Sequence, residues 1–384
     1  MTSALARARA RTTAVALAAA AAVWLATTVA VPPPAIAQTW DAPGWGYEER
    51  PSAVTYSSPH GTFDVGGSIG RAHGELGGGT GQVGYPVSTA VSEGGPYAYQ
   101  RFERAVIYTS GAGAYAVHDG PFRSTHESRG GGGGALGYPT SRQIDQGGGF
   151  AYQVFERGVI YVGPRGAFVV TSQVLDVHTR SGGGGGILGY PVGPSVSQGG
   201  GFAYQAFERG VVYVSSQGAH AVTGSVLVTH AWLGGGGGSL GYPVTATINQ
   251  GGDFAYQVFE RGVVYVSHLG SHAVKGLFLG VHNGRGGGGG ELGYPRGSEA
   301  RWGDGSWTQG FERGDVRIAD GLATVTLAGT GSGGGTGDGS STGGSSVYYA
   351  NCDAVRAAGK SPLYSWQPGY RAGLDRDGDG VACE

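Results

Sequence analysis

The chain has 384 residues, of which 81 are Gly and 17 are Pro. A Gly and Pro share of about a quarter belongs to low-complexity or disordered sequence unless it recurs with a period. Only 14% of residues are charged and 40% are hydrophobic, which excludes a self-repelling charged polymer and leaves the period to decide.

Arg7, Arg9 and Arg11 precede an apolar run over 14–30, and Ala35-Ile36-Ala37 offers small residues for cleavage before Gln38. This is the pattern of an export signal. The run is mostly alanine and stops at Pro32-Pro33-Pro34, short and weakly apolar for a membrane span. Residues 1–37 are therefore expected to be a cleaved signal peptide, and the mature chain to be secreted with no membrane span. Removing three Arg leaves 22 basic against 27 acidic residues, a net charge of −5. A nucleic-acid partner needs a basic footprint, so none is expected. Neutral polymers and cations are the ligands this balance favours. Residues 38–60 form a lead segment too short for a catalytic domain.

The glycine is periodic. Gly-Tyr-Pro recurs at 84–86, 137–139, 189–191, 241–243 and 293–295, spaced by 53, 52, 52 and 52 residues. Eighteen residues after each of these glycines comes Phe-Glu-Arg, beginning at Phe102, Phe155, Phe207, Phe259 and Phe311. A Gln stands two before each Phe (Gln100, Gln153, Gln205, Gln257, Gln309), and a His eleven before each glycine (His73, His126, His178, His230, His282). Five units of ~52 residues fill 61–326.

Within one unit, 202–207 alternates aromatic with small or polar residues, and 211–214 and 219–222 follow after short turns, so three short strands are expected. Val226, His230 and Leu233 at i, i+4 and i+7 predict a short helix over 225–233, ended by the pentaglycine 234–238. Such a unit has too little apolar material for its own core and must pack on its neighbours. The repeat region begins and ends near a third strand, at 61–65 and 321–325. The expectation is a mainly β, five-fold propeller-like ring of repeats, closed so that no strand edge stays exposed.

Leu-Gly-Tyr-Pro, Phe-Glu-Arg-Gly-Val-Val-Tyr and Gly-Ala-His-Ala-Val resemble the LGFP repeat family of actinobacterial envelope proteins, over about 265 residues. The resemblance implies cell-wall binding by a compact, pseudo-symmetric module. This chain has His where the family's helix usually carries Trp or Tyr, and Val244-Thr245-Ala246-Thr247 where acidic residues often follow the Pro.

The recurrent polar residues admit two readings. In one, Tyr85, Tyr138, Tyr190, Tyr242 and Tyr294 stack on sugar rings while Gln, Glu and Arg supply directed hydrogen bonds. In the other, five joints need the same joint five times; this is preferred for Gln, Glu and Arg, and the five His are expected in the core. The fifth unit breaks the pattern with Trp302 and Trp307, a candidate aromatic binding spot or the seam of the ring. No unit groups the several close ligands that zinc requires. Five equivalent Glu lack the asymmetry of a glycosidase pair, so no enzyme is expected.

Residues 327–346, rich in Gly, Ser and Thr, read as a flexible linker to a tail at 347–384. At 38 residues that tail needs a staple or a metal. Cys352 and Cys383, the sole cysteines, are expected to form one disulfide in an oxidising compartment. Asp375, Asp377 and Asp379 stand at positions 1, 3 and 5 of a calcium-type loop with Gly380 at 6, and the Val381 carbonyl falls at 7. An ordinary loop of this kind ends with Glu at position 12, whereas here Glu384 is at 10. The segment from Asn351-Cys352 through Leu374 to Glu384 closely resembles the excalibur extracellular calcium-binding family. That resemblance implies Asp375, Asp377, Asp379 and Glu384 as Ca2+ ligands.

The expected function is that of a secreted, non-catalytic, wall-associated monomer. Its repeats would bind cell-wall polysaccharide, either peptidoglycan or an attached polymer, and its tail calcium. A wall hydrolase and a protein-binding, adhesin-like scaffold are the alternatives.

Overall fold

The computed structural model of the chain describes residues 46–50, 52–328, 346–358, 361–364, 370–376 and 381–383. The expected signal peptide and the linker residues 329–345 lie outside them.

Six antiparallel sheets follow one another along the chain. The first holds β1 (Gly46–Arg50), β2 (Ala53–Ser58) and β3 (Gly61–Gly66), and α1 (Gly67–Glu75) follows it. The second holds β4 (Val91–Gly94), β5 (Tyr97–Arg101), β6 (Ala105–Ser110) and β7 (Gly113–His118), then α2 (Pro121–Glu127). The third holds β8 (Ile144–Gly147), β9 (Phe150–Phe155), β10 (Gly158–Gly163) and β11 (Gly166–Thr171), then α3 (Ser172–Arg180). The fourth holds β12 (Val196–Gly199), β13 (Phe202–Phe207), β14 (Gly210–Ser215) and β15 (Gly218–Thr223), then α4 (Gly224–Trp232). The fifth holds β16 (Ile248–Gly251), β17 (Phe254–Phe259), β18 (Gly262–Ser267) and β19 (Gly270–Lys275), then α5 (Gly276–Gly284). The sixth holds β20 (Ala300–Arg301), β21 (Trp307–Phe311), β22 (Gly314–Ala319), β23 (Leu322–Leu327) and β24 (Ser346–Tyr349). The tail adds α6 (Cys352–Ala357) and the pair β25 (Leu363–Tyr364) and β26 (Val381–Ala382).

The cores lie at the joints between sheets, as expected of units too poor in apolar residues to fold alone. Helix α4 packs on β15 behind it and on β18 and β19 ahead of it. One cluster there joins Tyr213 and Val222 of the fourth sheet, Val226 of α4, Leu240 and Tyr242 of the turn, and Phe259 and Val264 of the fifth sheet. The other four helices span their joints in the same way.

Two expectations are corrected. A typical sheet has four strands rather than three: Val196–Gly199 pairs with β13 through the hairpin Gly199-Gly200-Gly201, all three glycines at positive φ. Nor does strand pairing build a five-fold ring. The lead segment and repeats build six sheets, and no pairing among the described residues joins the first of these to the last. The physical reason lies in the lead segment, whose Val54 and Tyr56 pair in register with Val65 and Phe63. The strand at 61–66 is thereby used at the start of the chain, while the sixth sheet supplies its own equivalent in β23.

Candidate functional site

The recurrent polar residues build the joints. The five imidazoles are buried, and each directs Nε2 at the carbonyl of the Gly-Tyr-Pro glycine: His73 to Gly84, His126 to Gly137, His178 to Gly189 and His230 to Gly241 at 2.9 Å, His282 to Gly293 at 2.8 Å. A carbonyl only accepts, so Nε2 carries the proton. Each Gln reaches across a joint. Gln205 Nε2 donates to the Val169 carbonyl of β11 and to the Gly193 carbonyl, both at 3.0 Å. The other four Gln make the corresponding pair of bonds. Glu208 Oε2 accepts from the Tyr190 amide at 3.0 Å, while Arg209 donates to the carbonyls of Gly186 and Ile187. These side chains are committed to holding turns and sheets together.

The tyrosines expected as sugar platforms are placed differently. Tyr138, Tyr190, Tyr242 and Tyr294 are only 6–8% exposed and Tyr85 is half-buried. Tyr242 packs against Phe202 at 4.6 Å and edge-on to Tyr213 at 6.0 Å. Its hydroxyl donates to Gln198 Oε1, as those of Tyr138, Tyr190 and Tyr294 do to Glu93, Gln146 and Gln250. The rings are pegs between sheets, with their faces covered. Tyr190 meets an open cleft of about 460 Å³, shared with Gln146, Phe150, Glu208 and Arg209.

The two tryptophans are on the surface. Trp307 is 39% exposed, with the Arg301 guanidinium 5.9 Å from its ring centroid. Trp302 is 60% exposed and donates its indole N–H to Thr308 Oγ1 at 2.9 Å. Trp307 borders a cleft of about 590 Å³ at the last joint, together with Ser239, Arg261, Lys275, Phe278, Glu299 and Ile318. Trp302 is not among its walls. Lys275 and Glu299 form an ion pair there. An aromatic face, an apolar floor and several donors and acceptors in one open cleft suit a sugar, which presents C–H faces and hydroxyls together. Sequence reasoning missed Lys275 and Glu299. Their signal was departure from the repeat, since equivalent places hold Thr171 or Thr223, and Thr247.

In the tail, Asn351 caps α6, its Oδ1 accepting from the Ala354 amide at 2.9 Å. Cys352 and Cys383 are joined as expected. Tyr349, Val355, Leu363, Leu374, Ala382 and Cys383 form a small core. Asp375 is 7% exposed and accepts from the Tyr370 hydroxyl at 2.5 Å. A buried carboxylate next to a small apolar core suits a hard cation that needs oxygen donors. Val381 lies in β26, whereas Asp377, Asp379 and Glu384 lie outside the described residues. Among the described residues no three His, Cys, Asp or Glu side chains gather as a metal cluster, and no helix is long and apolar enough to cross a membrane.

Residues 349–384 match the Excalibur calcium-binding domain, and residues 136–186, 188–238 and 240–290 match the LGFP repeat. No curated protein matches the chain. Among solved structures, the hemopexin fold protein CP4 from cow pea is 11% identical, with 46% of this chain and 82% of that one covered and a TM-score of 0.13. The extracellular domain of the putative one component system BT4673 from B. thetaiotaomicron is also 11% identical, with 74% and 36% covered and a TM-score of 0.13. PorZ of the type-IX secretion system of Porphyromonas gingivalis is 9% identical, with 73% and 35% covered and a TM-score of 0.12. Likeness at this level says nothing about the architecture of this chain. Both matched domain types are typical of extracellular or cell-envelope proteins, and the tail is of a calcium-binding type.

Proposed function

We propose that the mature protein is a secreted, non-catalytic component of the envelope that holds cell-wall polysaccharide in the cleft of its last joint. The observation that carries this reading is the partly exposed Trp307 beside the Lys275–Glu299 ion pair, at a joint where the repeat departs from its own pattern. An indole face stacks on the C–H face of a sugar ring, and the charged pair offers donors and acceptors to its hydroxyls. The five Glu of the joints bind backbone amides in equivalent surroundings. Glycoside cleavage instead wants two carboxylates in unlike environments, which supports a binding role. The domain pairing favours a wall ligand. Co-sedimentation of the mature chain with purified peptidoglycan, before and after its attached polysaccharide is removed, tests the reading. Retention is expected on one of the two polymers, without release of soluble fragments. A chain that stays in the supernatant with both, or that releases sugar fragments, overturns it.

A further inference from the structure

The sixth sheet differs from the others at its last edge. In the first five sheets the final strand offers a mid-strand carbonyl to the Gln of the following unit: Asp64, Ala116, Val169, Ala221 and Ala273 each receive one such bond. The equivalent residue of β23 is Val325, by the register of β22 and β23. No unit follows to supply a Gln. Here the tail takes over: β24 runs antiparallel to β23 with Leu322 opposite Tyr349, Ala323 opposite Tyr348, Thr324 opposite Val347 and Val325 opposite Ser346. Leu322 also packs against the tail core of Tyr349, Val355, Leu363, Leu374, Ala382 and Cys383.

We infer that the calcium-binding tail is the terminal cap of the repeat array, and that calcium binding and closure of its last edge are one coupled equilibrium. Repeat arrays need an end unit unlike the rest, and an unpaired strand edge is a template for pairing with another chain. The link between loop and edge is short. Asp375 follows Leu374, which lies in the same core as Tyr349 of β24. Arg371, three residues before Leu374, donates to the Tyr349 carbonyl at 3.2 and 3.3 Å and to the Ala350 carbonyl at 2.7 Å. A cation that orders the segment around Asp375 therefore also orders the partners that hold β24 in place. The inference does not depend on wall binding.

Amide hydrogen exchange on the full mature chain, with calcium and with chelator, reads this coupling. Calcium is expected to slow exchange at Ala323 and Val325, the β23 residues that face β24, by about tenfold or more, within the usual range of coupling between sites. Tyr348 stands opposite Ala323 in the hydrogen-bonded phase of the pairing, so Tyr348→Pro removes a ladder donor from β24; it is expected to abolish that protection and, by reciprocity, to weaken calcium binding by the same factor. Asp375→Asn is expected to lose the calcium effect while exchange in β17 and β18 stays unchanged, which separates loss of the cap from loss of the fold. Three results each overturn the inference: no calcium uptake by the wild-type chain, uptake with no change at Ala323 and Val325, and wild-type calcium affinity in Tyr348→Pro.

Discussion

The Nε2 of His230 donates to the Gly241 carbonyl at 2.9 Å while its imidazole stacks on Phe259 at 4.6 Å. The edge of Tyr213 closes the site at 5.1 Å. One side chain thus ties helix, turn and next sheet together, and the same bond recurs at His73, His126, His178 and His282.

Burial lowers the pKa of all five imidazoles, outweighing the opposite pull of the carbonyl each one faces. The unfolded chain, whose His titrate near about 6.5, therefore takes up protons before the folded one as pH falls. Stability from these groups is complete above that value and declines below it. Each His steepens the decline by at most about 1.4 kcal/mol per pH unit. Urea unfolding at fixed calcium is expected to show falling stability from about pH 7 to 5, with protons taken up on unfolding. A flat profile across that window would refute neutral, buried imidazoles.

The pentaglycine is a set of separate requirements. Gly234 and Gly235 have φ of +95° and +63°, and a Cβ on Gly236 would lie 2.9 Å from the Tyr242 ring. A Cβ on Gly238 would lie 2.0 Å from the Leu233 carbonyl, whereas one on Gly237 would meet nothing within 4 Å. The first unit carries Thr80 at this fourth place. Gly237→Ala is expected to be neutral or stabilising by up to about 1 kcal/mol. Gly238→Ala is expected to cost about 3 kcal/mol or more. Thermal unfolding of the two variants checks the contrast, and equal effects would contradict it.

Gln205 is a test of the joint itself. Replacing it with Leu keeps the volume but leaves the Val169 and Gly193 carbonyls without the donor they now share. A buried acceptor stripped of its partner costs about 1–3 kcal/mol, so Gln205→Leu is expected to lose about 2–4 kcal/mol in chemical denaturation. A change below about 1 kcal/mol would show that the Gln does not carry the joint.

The joint was legible in the sequence because its residues recur at fixed offsets with a plain physical use: a lone His on an apolar helix stripe, a Gln among alternating strand residues. The first strand of each hairpin was not. Val196–Gly199 is exposed and holds a single large apolar residue, and it is secured by the Tyr242 hydroxyl bonding Gln198, 44 residues earlier in the chain. Burial of the tyrosines was hidden for a similar reason. Tyr beside Pro reads as an exposed aromatic turn, and it is the glycine loop together with rings of the preceding sheet, Phe202 and Tyr213 at Tyr242, that removes it from solvent. The count of five sheets missed the lead segment, where Val54 and Tyr56 alternate like any strand but were read as lying outside the repeats. Trp302 and Trp307 stood out by breaking the pattern; which of them borders a cleft depended on packing across the last joint.

That distinction gives the sharpest test of polysaccharide binding. Trp307 borders the cleft, whereas Trp232 on α4 is more exposed, at 78%, and is not among its walls. If binding were general adhesion through exposed indoles, Trp232→Ala would weaken it most. If the cleft is the site, Trp307→Ala is expected to lower affinity for wall polymer about tenfold, the equivalent of ~1.4 kcal/mol, while Trp232→Ala leaves it unchanged. Lys275→Ala would then lower affinity too, by removing donors from the same cleft. Because Trp307 is partly exposed and its backbone stays in β21, the variant is expected to unfold at the wild-type urea concentration. Equal losses from both tryptophans would assign the binding to surface stickiness and remove the cleft from the account.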